Sequence, residues 1–238
     1  MKKMINLKIN DVPVTVPEGT SVLQAARYAN VDIPSLCYLK DINCIGACRV
    51  CVVEIKGRKG LTAACTYPVE EGLEVLTNTA MVRNSRRTTL ELLISAHRRK
   101  CLSCGRSDSC ELQALGFEYG ANEDHFKGED PNYPIDDSTD CVIRDNNKCI
   151  QCLRCVSTCN NVQGIGAIGQ IRRGFDVRVG SPFDQGRDTT TCVGCGQCIV
   201  ACPVGALTEK SNTDKVWESI ADPKKQVVFF TAPSIRAT

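Results

Sequence analysis

One cysteine spacing occurs twice in the second half of the chain. Cys149 begins a C-x2-C-x2-C-x3-C run, and Cys192 begins a second run with the same spacing. Three thiolates at intervals of three residues can wrap one face of an iron–sulfur cubane from a single short loop, and the fourth cysteine then begins a helix and points away. The repeat therefore predicts two [4Fe–4S] clusters.

The fourth cysteine of each run decides how the ligands are shared. In two-cluster ferredoxins this cysteine reaches the other cluster. The expected ligand sets are Cys149, Cys152, Cys155 and Cys202 for one cluster, and Cys192, Cys195, Cys198 and Cys159 for the other. Two zinc sites are the alternative, because zinc also takes four thiolates. Zinc knuckles use paired C-x2-C units rather than triplets, so the pattern favours clusters.

A second group combines one histidine with three cysteines, in the order His97-x3-Cys101-x2-Cys104-x5-Cys110. A histidine on the apolar face of a helix is more often a core residue than a ligand. The three cysteines alone, however, are one donor short of a closed site, so we expect His97 to be the fourth ligand of a third [4Fe–4S] cluster. Neutral imidazole in place of thiolate makes that site one unit less negative, which favours its reduced form.

A third group near the N-terminus fits a [2Fe–2S] cluster. The plant-type pattern for this cluster is C-x4-C-x2-C with a distant fourth cysteine. Cys48 and Cys51 form the close pair, Cys65 follows them, and the upstream ligand is either Cys37 or Cys44. A zinc ion bound by four cysteines is the alternative.

Residues 1–80 predict the α+β unit that positions this third group. Apolar and polar residues alternate over 5–9 and again over 12–16, with a turn between them, which predicts a β-hairpin. Ser21 followed by Gln24 is a capping-box pattern and begins a helix. A hairpin followed by a helix suggests a β-grasp layout.

The middle of the chain predicts a helical unit and an acidic connector. Residues 81–120 read as helical, and Leu90 and Ile94 share a helix face with His97. Residues 121–140 are acidic and predict a solvated connector, in which His125 is expected at the surface.

The C-terminal part contains the ferredoxin-like unit and a tail. We assign 141–212 to the unit and 213–238 to the tail, in which 227–230 predict a buried strand. Cys141 is expected in a short strand and not in a cluster. A G-x-G-x-x-G match at 164–169 lies between the two cysteine runs, without room for a βαβ unit, so we expect a turn there and no nucleotide site.

The composition limits the classes of function. There are 17 cysteines in 238 residues, an odd number. The N-terminus has no apolar signal segment, so we expect a cytoplasmic protein whose thiols bind metal. A net charge of +2 gives no argument for nucleic acid or an anionic membrane. No apolar run approaches the roughly 18 residues of a membrane span.

The order of the motifs resembles one known arrangement. The motifs follow as Cys37-x10-Cys48-x2-Cys51-x13-Cys65, His97-x3-Cys101-x2-Cys104-x5-Cys110 and the two repeated runs. This order is similar to the N-terminal relay region of [FeFe] hydrogenase large subunits, the large iron–sulfur subunit of respiratory complex I and NAD-linked formate dehydrogenases, over essentially 1–230. The resemblance implies Cys37 as the upstream ligand, one [2Fe–2S] and three [4Fe–4S] clusters, and no cluster at Cys44 or Cys141.

The resemblance also implies a fold and a function. The expected fold is modular α+β: a β-grasp [2Fe–2S] domain, a small helical His/Cys3 domain and a two-[4Fe–4S] ferredoxin-like domain. The expected function is electron transfer in a soluble oxidoreductase complex, with no substrate-converting site on this chain. Its implied partners are a flavoprotein that holds FMN and binds NAD(P), a thioredoxin-like [2Fe–2S] subunit and ferredoxin. The lack of a catalytic domain suits an electron-bifurcating transhydrogenase-type complex best.

Three alternatives stay open. The tail resembles the start of a hydrogenase catalytic domain, so the chain is alternatively the N-terminal part of an [FeFe] hydrogenase large subunit. A relay subunit of an NAD-linked formate dehydrogenase is the second alternative. The third is a zinc-bound interaction scaffold without a redox role, which metal and sulfide analysis separates from the others.

Overall fold

The computed structural model describes residues 3–128 and 132–236. One apolar core lies inside the N-terminal unit. A second core joins the middle and C-terminal units, and Leu36, Cys37, Cys48 and Val50 of the N-terminal unit also belong to it. The predicted metal-binding loop of the first unit therefore packs directly against the other two units. Among the described residues, no helix is long and apolar enough to cross a membrane.

The N-terminal unit is a five-stranded sheet with one helix. Its elements are β1 (Met4–Ile9), β2 (Val12–Pro17), α1 (Val22–Tyr28), β3 (Val52–Ile55), β4 (Leu61–Ala63) and β5 (Glu74–Leu76). The strand order is β2-β1-β5-β3-β4, with β1 and β5 parallel and the other pairs antiparallel. Ser21 caps α1 in a capping box with Gln24, as predicted. The α+β layout is confirmed.

The predicted hairpin is formed by β1 and β2. Leu7 pairs with Val14 on the buried face of the sheet. Asn10 and Asp11 connect the strands with φ of 48° and 66°. Positive φ at both central positions is the geometry of a type I′ turn, which matches the twist of the two strands.

The middle unit contains two helices, α2 (Ala80–Ser95) and α3 (Glu111–Glu118). The prediction that α2 continues to His97 is wrong, because the helix ends at Ser95. Beyond it, the backbone N–H of Arg98 donates to the carbonyl of Asn147 at 2.8 Å, outside the helix. This bond turns the chain away from the helix axis and leaves His97 in a connecting segment between the middle and C-terminal units.

The acidic connector is anchored at two points rather than solvated throughout. The carboxylate of Glu91, which is 2% exposed, accepts hydrogen bonds from the Asn122 backbone at 3.0 Å and from Nδ1 of His125 at 2.6 Å. Asp136 forms an ion pair with the buried Arg144 at 2.8 Å. The ring of His125 is exposed, as predicted. Buried charged partners hold both ends of the connector, which the run of acidic residues alone did not indicate.

The C-terminal unit consists of short elements around two cysteine loops. They are β6 (Val142–Arg144), α4 (Arg154–Ser157), β7 (Gly169–Ile171), β8 (Arg178–Gly180), α5 (Gln197–Ala201) and β9 (Leu207–Glu209). β6 pairs with β9 and β7 pairs with β8, both antiparallel. A π-helical turn, Thr158–Val162, follows α4. Cys141 lies directly before β6.

The tail begins with an amphipathic helix, α6 (Thr213–Ala221), whose Trp217 is 65% exposed. The prediction of a buried strand at 227–230 is wrong. That segment is assigned no strand, and Phe230 is 94% exposed. An apolar run forms a strand only beside a partner, and no strand of the described residues pairs with this one.

Candidate metal centres

Four cysteines of the N-terminal group are buried together. Cys37 and Cys48 lie on the loop after α1, Cys51 directly precedes β3, and Cys65 lies two residues after β4. We call Cys37, Cys48, Cys51 and Cys65 the N-terminal site. Hydrogen bonds from the thiols of Cys48 and Cys65 lower the pKa of Cys37 to about 2. A hydrogen bond from Cys65 lowers the pKa of Cys51 to about 7. The hydrogen bonds to Cys37 raise the pKa values of Cys48 and Cys65 in turn. Cys37 and Cys51 are therefore the two thiols of the site that favour the thiolate form, which metal ligation requires.

Cys44 lies at the rim of this site. It is exposed, and its Sγ donates to the carbonyl of Cys65 at 2.8 Å. Gly46 has a φ of +64°, and a Cβ there would lie 3.1 Å from Cγ2 of Thr66, so the loop needs glycine. The geometry favours Cys37 over Cys44 as a ligand, and ligation itself stays a prediction.

The predicted histidine and three cysteines surround one pocket, with about 280 Å³ of empty space. We call His97, Cys101, Cys104 and Cys110 the His site. Nδ1 of His97 is buried without a hydrogen-bond partner. Burial lowers the pKa of His97, which favours the neutral imidazole that a metal ligand must be.

Gly205 closes the His site from the C-terminal unit. A Cβ at this position would lie 2.4 Å from Sγ of Cys104, so only glycine fits without a shift. Lys148 and Arg106 also line the pocket and offset negative charge there. Sequence patterns did not single out Gly205, because its contact with Cys104 joins two separate units.

The C-terminal unit holds two further pockets, with about 380 and 390 Å³ of empty space. Cys149, Cys152, Cys155 and Cys202 line the first, which we call the junction site. Cys159, Cys192, Cys195 and Cys198 line the second, which we call the outer site. Cys159 and Cys202 thus each lie in the pocket of the other run, as expected from the spacing.

The two cysteine loops share a left-handed backbone conformation at two positions. Gln151 and Leu153 have φ of 54° and 58°, and Gly194 and Gly196 occupy the corresponding positions of the second loop with φ of 67° and 72°. Left-handed φ costs a non-glycine residue about 1–2 kcal/mol. The first loop adopts this conformation although its residues at these positions are not glycine. This indicates that the arrangement of the cysteine side chains determines the backbone conformation of the loop.

The glycine-rich segment that matched G-x-G-x-x-G belongs to the outer site. Ile165, Ala167 and Ile168 line its pocket. The backbone N–H of Ile165 donates to the carbonyl of Cys159 at 3.0 Å. The segment is therefore a turn against a cysteine loop, in agreement with the expectation from sequence.

Hydrogen bonds connect the junction site to two other sites. The side-chain amide of Asn43 donates to the carbonyls of Cys37 and Cys152, which belong to the N-terminal and junction sites. Arg106, beside the His site, donates to the carbonyl of Cys202 at 3.1 Å. The junction and outer sites share α4 and α5. The junction site is therefore adjacent to all three others.

Sequence analysis missed three buried arginines around these sites. Arg144 lines the junction site, and Arg187 lines the outer site. Arg154 pairs with both carboxylate oxygens of Glu111, at 2.6 and 3.0 Å. Arg154 and Glu111 are 43 positions apart. The partners of Arg144 and Arg187 lie 8 and 11 positions away, at spacings that belong to no known motif, so no local pattern marked these arginines.

The donor sets fit iron–sulfur clusters. Three pockets are each lined by four donors of the types that iron in clusters takes. Among the described residues, no group of three or more His, Cys, Asp or Glu side chains is placed to hold a single metal ion.

Three family models match successive parts of the chain. A 2Fe-2S iron-sulfur cluster binding domain matches 2–80. The NADH-ubiquinone oxidoreductase-G iron-sulfur binding region matches 86–125. The ferredoxin-like domain of NADH-quinone oxidoreductase subunit 3 matches 139–208.

Curated relatives are longer than this chain. The NADP-reducing hydrogenase subunit HndD of Solidesulfovibrio fructosivorans is 42% identical over 98% of the chain, which covers 41% of that protein. The NADPH-Fe(3+) oxidoreductase subunit alpha of Geobacter sulfurreducens is 33% identical over 87% of the chain, which covers 24% of that protein. The chain thus spans less than half the length of these relatives.

One solved structure resembles this chain over most of the length of both. It is described as the crystal structure of an NAD+-reducing [NiFe]-hydrogenase in the H2-reduced state, with a TM-score of 0.81 and 32% identity. The match covers 87% of this chain and 88% of that one. The relationship therefore extends across all three units and their mutual arrangement.

Proposed function

The chain belongs to the family of iron–sulfur relay chains shared by NAD(P)-linked hydrogenases and complex I, and on this premise we propose that it relays single electrons through four clusters. A [2Fe–2S] cluster is assigned to the N-terminal site. One [4Fe–4S] cluster is assigned to each of the His, junction and outer sites. The chain is an electron-transfer subunit of an oxidoreductase complex.

The observation that carries this proposal is the convergence of four separate donor sets around one centre. The N-terminal set, the His set and the two interleaved C-terminal sets come from separate stretches of sequence, yet the junction site contacts the other three through hydrogen bonds or adjoining helices. Electrons that enter at the N-terminal or His site reach the outer site through the junction site. Structural zinc sites do not require such proximity, since each acts alone.

The chain's residues support this relay in three ways. The clusters, when bound, supply one-electron redox chemistry. The buried thiolates and His97 hold them in place, and the apolar residues of the second core exclude water from the junction site. Nearby cations, among them Lys148 and Arg144, set the local charge and so tune the potentials.

The proposed setting is an electron-bifurcating, transhydrogenase-type complex in the cytoplasm, where thiols stay reduced. Its expected partners are an FMN-containing flavoprotein that binds NAD(P), a thioredoxin-like [2Fe–2S] subunit and ferredoxin. Support comes from the motif order and from relatives whose names refer to NADP, NADPH and NAD+.

A second candidate is the N-terminal part of an [FeFe] hydrogenase large subunit. The observation that favours it is the tail, where α6 exposes Trp217 and the following segment exposes Phe229 and Phe230. A further domain would cover such a surface. A relay subunit of an NAD-linked formate dehydrogenase is a third candidate. A reading frame that continues into cysteine-rich sequence would favour the hydrogenase.

The proposal is tested by anaerobic purification of the chain with its native partners. We expect iron and acid-labile sulfide in equal amounts, and EPR signals from four clusters on reduction. Cluster reduction by NADH or NADPH should require the flavoprotein. A colourless protein that contains zinc and no sulfide would contradict the relay function and favour the zinc-bound scaffold.

A further inference from the structure

Arg187 is a buried cation in the wall of the outer site. Its side chain is 1% exposed. Nη1 lies 4.0 Å from Sγ of Cys198, while Nε and Nη2 have no hydrogen-bond partner. Within the part of the chain that the structure describes, Arg187 forms no ion pair with a carboxylate.

A buried guanidinium requires a nearby anion. Arginine stays protonated in proteins, and an unpaired buried charge is costly. A [4Fe–4S] cluster with four thiolates is anionic and would lie beside Arg187. Burial raises the pKa of Cys198, and the charge of Arg187 opposes that rise. The outer site would therefore provide a close negative charge for this arginine, in addition to the more distant carboxylate of Asp136.

The junction site has a matching arginine, but its charge is compensated. Arg144 is 5% exposed and lines the junction pocket. Its Nη2 donates to Oδ2 of Asp136 at 2.8 Å. Burial raises the pKa of Asp136, but a hydrogen bond from Ser138 and the charges of Arg144 and Arg187 lower it to below its usual value, so this carboxylate is ionised. Arg144 at the junction site is thus hydrogen-bonded to a carboxylate, although Arg106 adds a second cation beside Cys202. The charge of Asp136 also reaches Arg187, but among the described residues no carboxylate forms a hydrogen bond with Arg187.

We propose that Arg187 raises the reduction potential of the outer cluster and so favours the electron on that cluster. Both sites use four cysteines, so their ligands do not distinguish them. In the transfer step one electron leaves the junction cluster, which is oxidised, and enters the outer cluster, which is reduced. No bond forms and no proton moves. The proposal rests on the proposed relay function.

The direction of this effect follows from charge. Reduction adds one negative charge to the cluster, and a neighbouring guanidinium stabilises that charge. The outer site also reaches the surface, since Cys195 and Val193 are exposed. An electron held there is in position to leave for a docked acceptor.

The test is a redox titration of the full chain, followed by EPR, in wild type and in Arg187→Gln. Glutamine keeps polarity and much of the length but removes the charge. We expect the reduced-to-oxidised ratio of the outer cluster at a fixed potential to fall about tenfold, equivalent to about 59 mV for one electron. Cys195→Ser, which alters an outer ligand, identifies the signal of that cluster.

Two further variants test charge rather than packing. Arg187→Lys keeps the positive charge. It should leave the reduced-to-oxidised ratio of the outer cluster within about threefold of wild type, a smaller change than the tenfold one expected for Arg187→Gln. Asp136→Asn removes the carboxylate that is hydrogen-bonded to Arg144 and whose charge also reaches Arg187, so it should raise the reduced fraction of both the junction and the outer cluster. The control is Arg173→Gln, at an exposed position, which should change neither cluster.

The outcomes separate this inference from the relay itself. If Arg187→Gln retains full iron and sulfide and the reduction potential of its outer cluster is unchanged, the inference is overturned and the proposed relay function still stands. If Arg187→Gln fails to assemble the outer cluster, an Asp136→Asn protein without a rise in the reduced fraction of the outer cluster overturns the inference instead. If the wild-type protein contains neither iron nor sulfide, the proposed relay function itself is overturned.

Discussion

The side-chain amide of Asn43 donates a hydrogen bond to the carbonyl of Cys152 at 3.0 Å, across 109 positions of sequence. The same nitrogen donates to the carbonyl of Cys37 at 2.7 Å, and the amide oxygen accepts from Ser157. Asn43 is 2% exposed. One buried side chain thus connects a cysteine of the N-terminal site with one of the junction site.

Asn43→Ala is expected to weaken both stability and electron transfer. Two buried carbonyls lose their shared donor, which costs about 1–3 kcal/mol in the free energy of unfolding. Transfer between the [2Fe–2S] and junction clusters should slow, because the contact between their loops loosens. Urea unfolding and stopped-flow reduction measure the two effects. Asn161→Ala, at an exposed position on the same interface, is the matched control. Equal rates in wild type and Asn43→Ala would show that this bridge is only structural.

Glu111 and Arg154 hold the middle and C-terminal units together. Arg154 is 5% exposed, and it also donates to the carbonyl of Ser35 in the N-terminal unit at 3.4 Å. Glu111→Ala leaves the buried charge of Arg154 without its carboxylate partner and should lower the free energy of unfolding by about 1–3 kcal/mol. Urea titration measures this change.

The exposed pair of Arg58 and Glu70 provides the control for that experiment. Both side chains are about half exposed. Exposed ion pairs contribute about 0–1 kcal/mol. Glu70→Ala should therefore change the free energy of unfolding less than Glu111→Ala does. Equal effects would mean that Arg154 is not a link between the units.

Cys37 and Cys44 are distinguished by their burial. Cys37→Ser removes a thiolate from the buried N-terminal site and should abolish or strongly alter the [2Fe–2S] signal. Cys44→Ser changes only an exposed side chain that donates to a carbonyl, so the signal should persist. EPR of the reduced proteins decides between them. The reverse result would make Cys44 the ligand.

Local spacing was sufficient to group the donor residues of the His, junction and outer sites, because each of these runs wraps its pocket within a few residues. For the N-terminal site the spacing left Cys37 and Cys44 open, and their burial in the fold distinguishes them. The crossing of Cys159 and Cys202 was also predictable, since the repeat itself encodes it. Asn43 and Arg187 were not predictable in the same way. Their roles depend on contacts between distant segments, and neither stands in a recognisable motif.

Two errors in secondary structure have physical causes. Helical periodicity extended α2 to His97, but a backbone bond from Arg98 to Asn147 ends the helix earlier. Such a tertiary contact leaves no trace in periodicity. The apolar run at 227–230 satisfied the rule for a strand, yet strands also need a neighbour that the sequence pattern does not specify.

Gly205 gives a direct test of the contact between the middle and C-terminal units. Gly205→Ala places a methyl group 2.4 Å from Sγ of Cys104, so that sulfur must move. We expect loss or strong alteration of the His-site EPR signal, with the other clusters unchanged. Gly105→Ala, in the same neighbourhood with open space around its Cβ, is the control. A normal His-site signal in Gly205→Ala would show that the pocket can expand.

His97 is expected to set the charge of its cluster as well as complete its ligands. His97→Cys adds a thiolate and should lower the potential, so that the reduced-to-oxidised ratio falls about tenfold or more, equivalent to about 59 mV. His97→Ala should destabilise or alter only that cluster. Redox-titrated EPR measures both variants, with His125→Ala as the control, since His125 is the other of the chain's two histidines. Four unchanged signals in His97→Ala would exclude ligation by this residue, and the third [4Fe–4S] cluster would then need another donor.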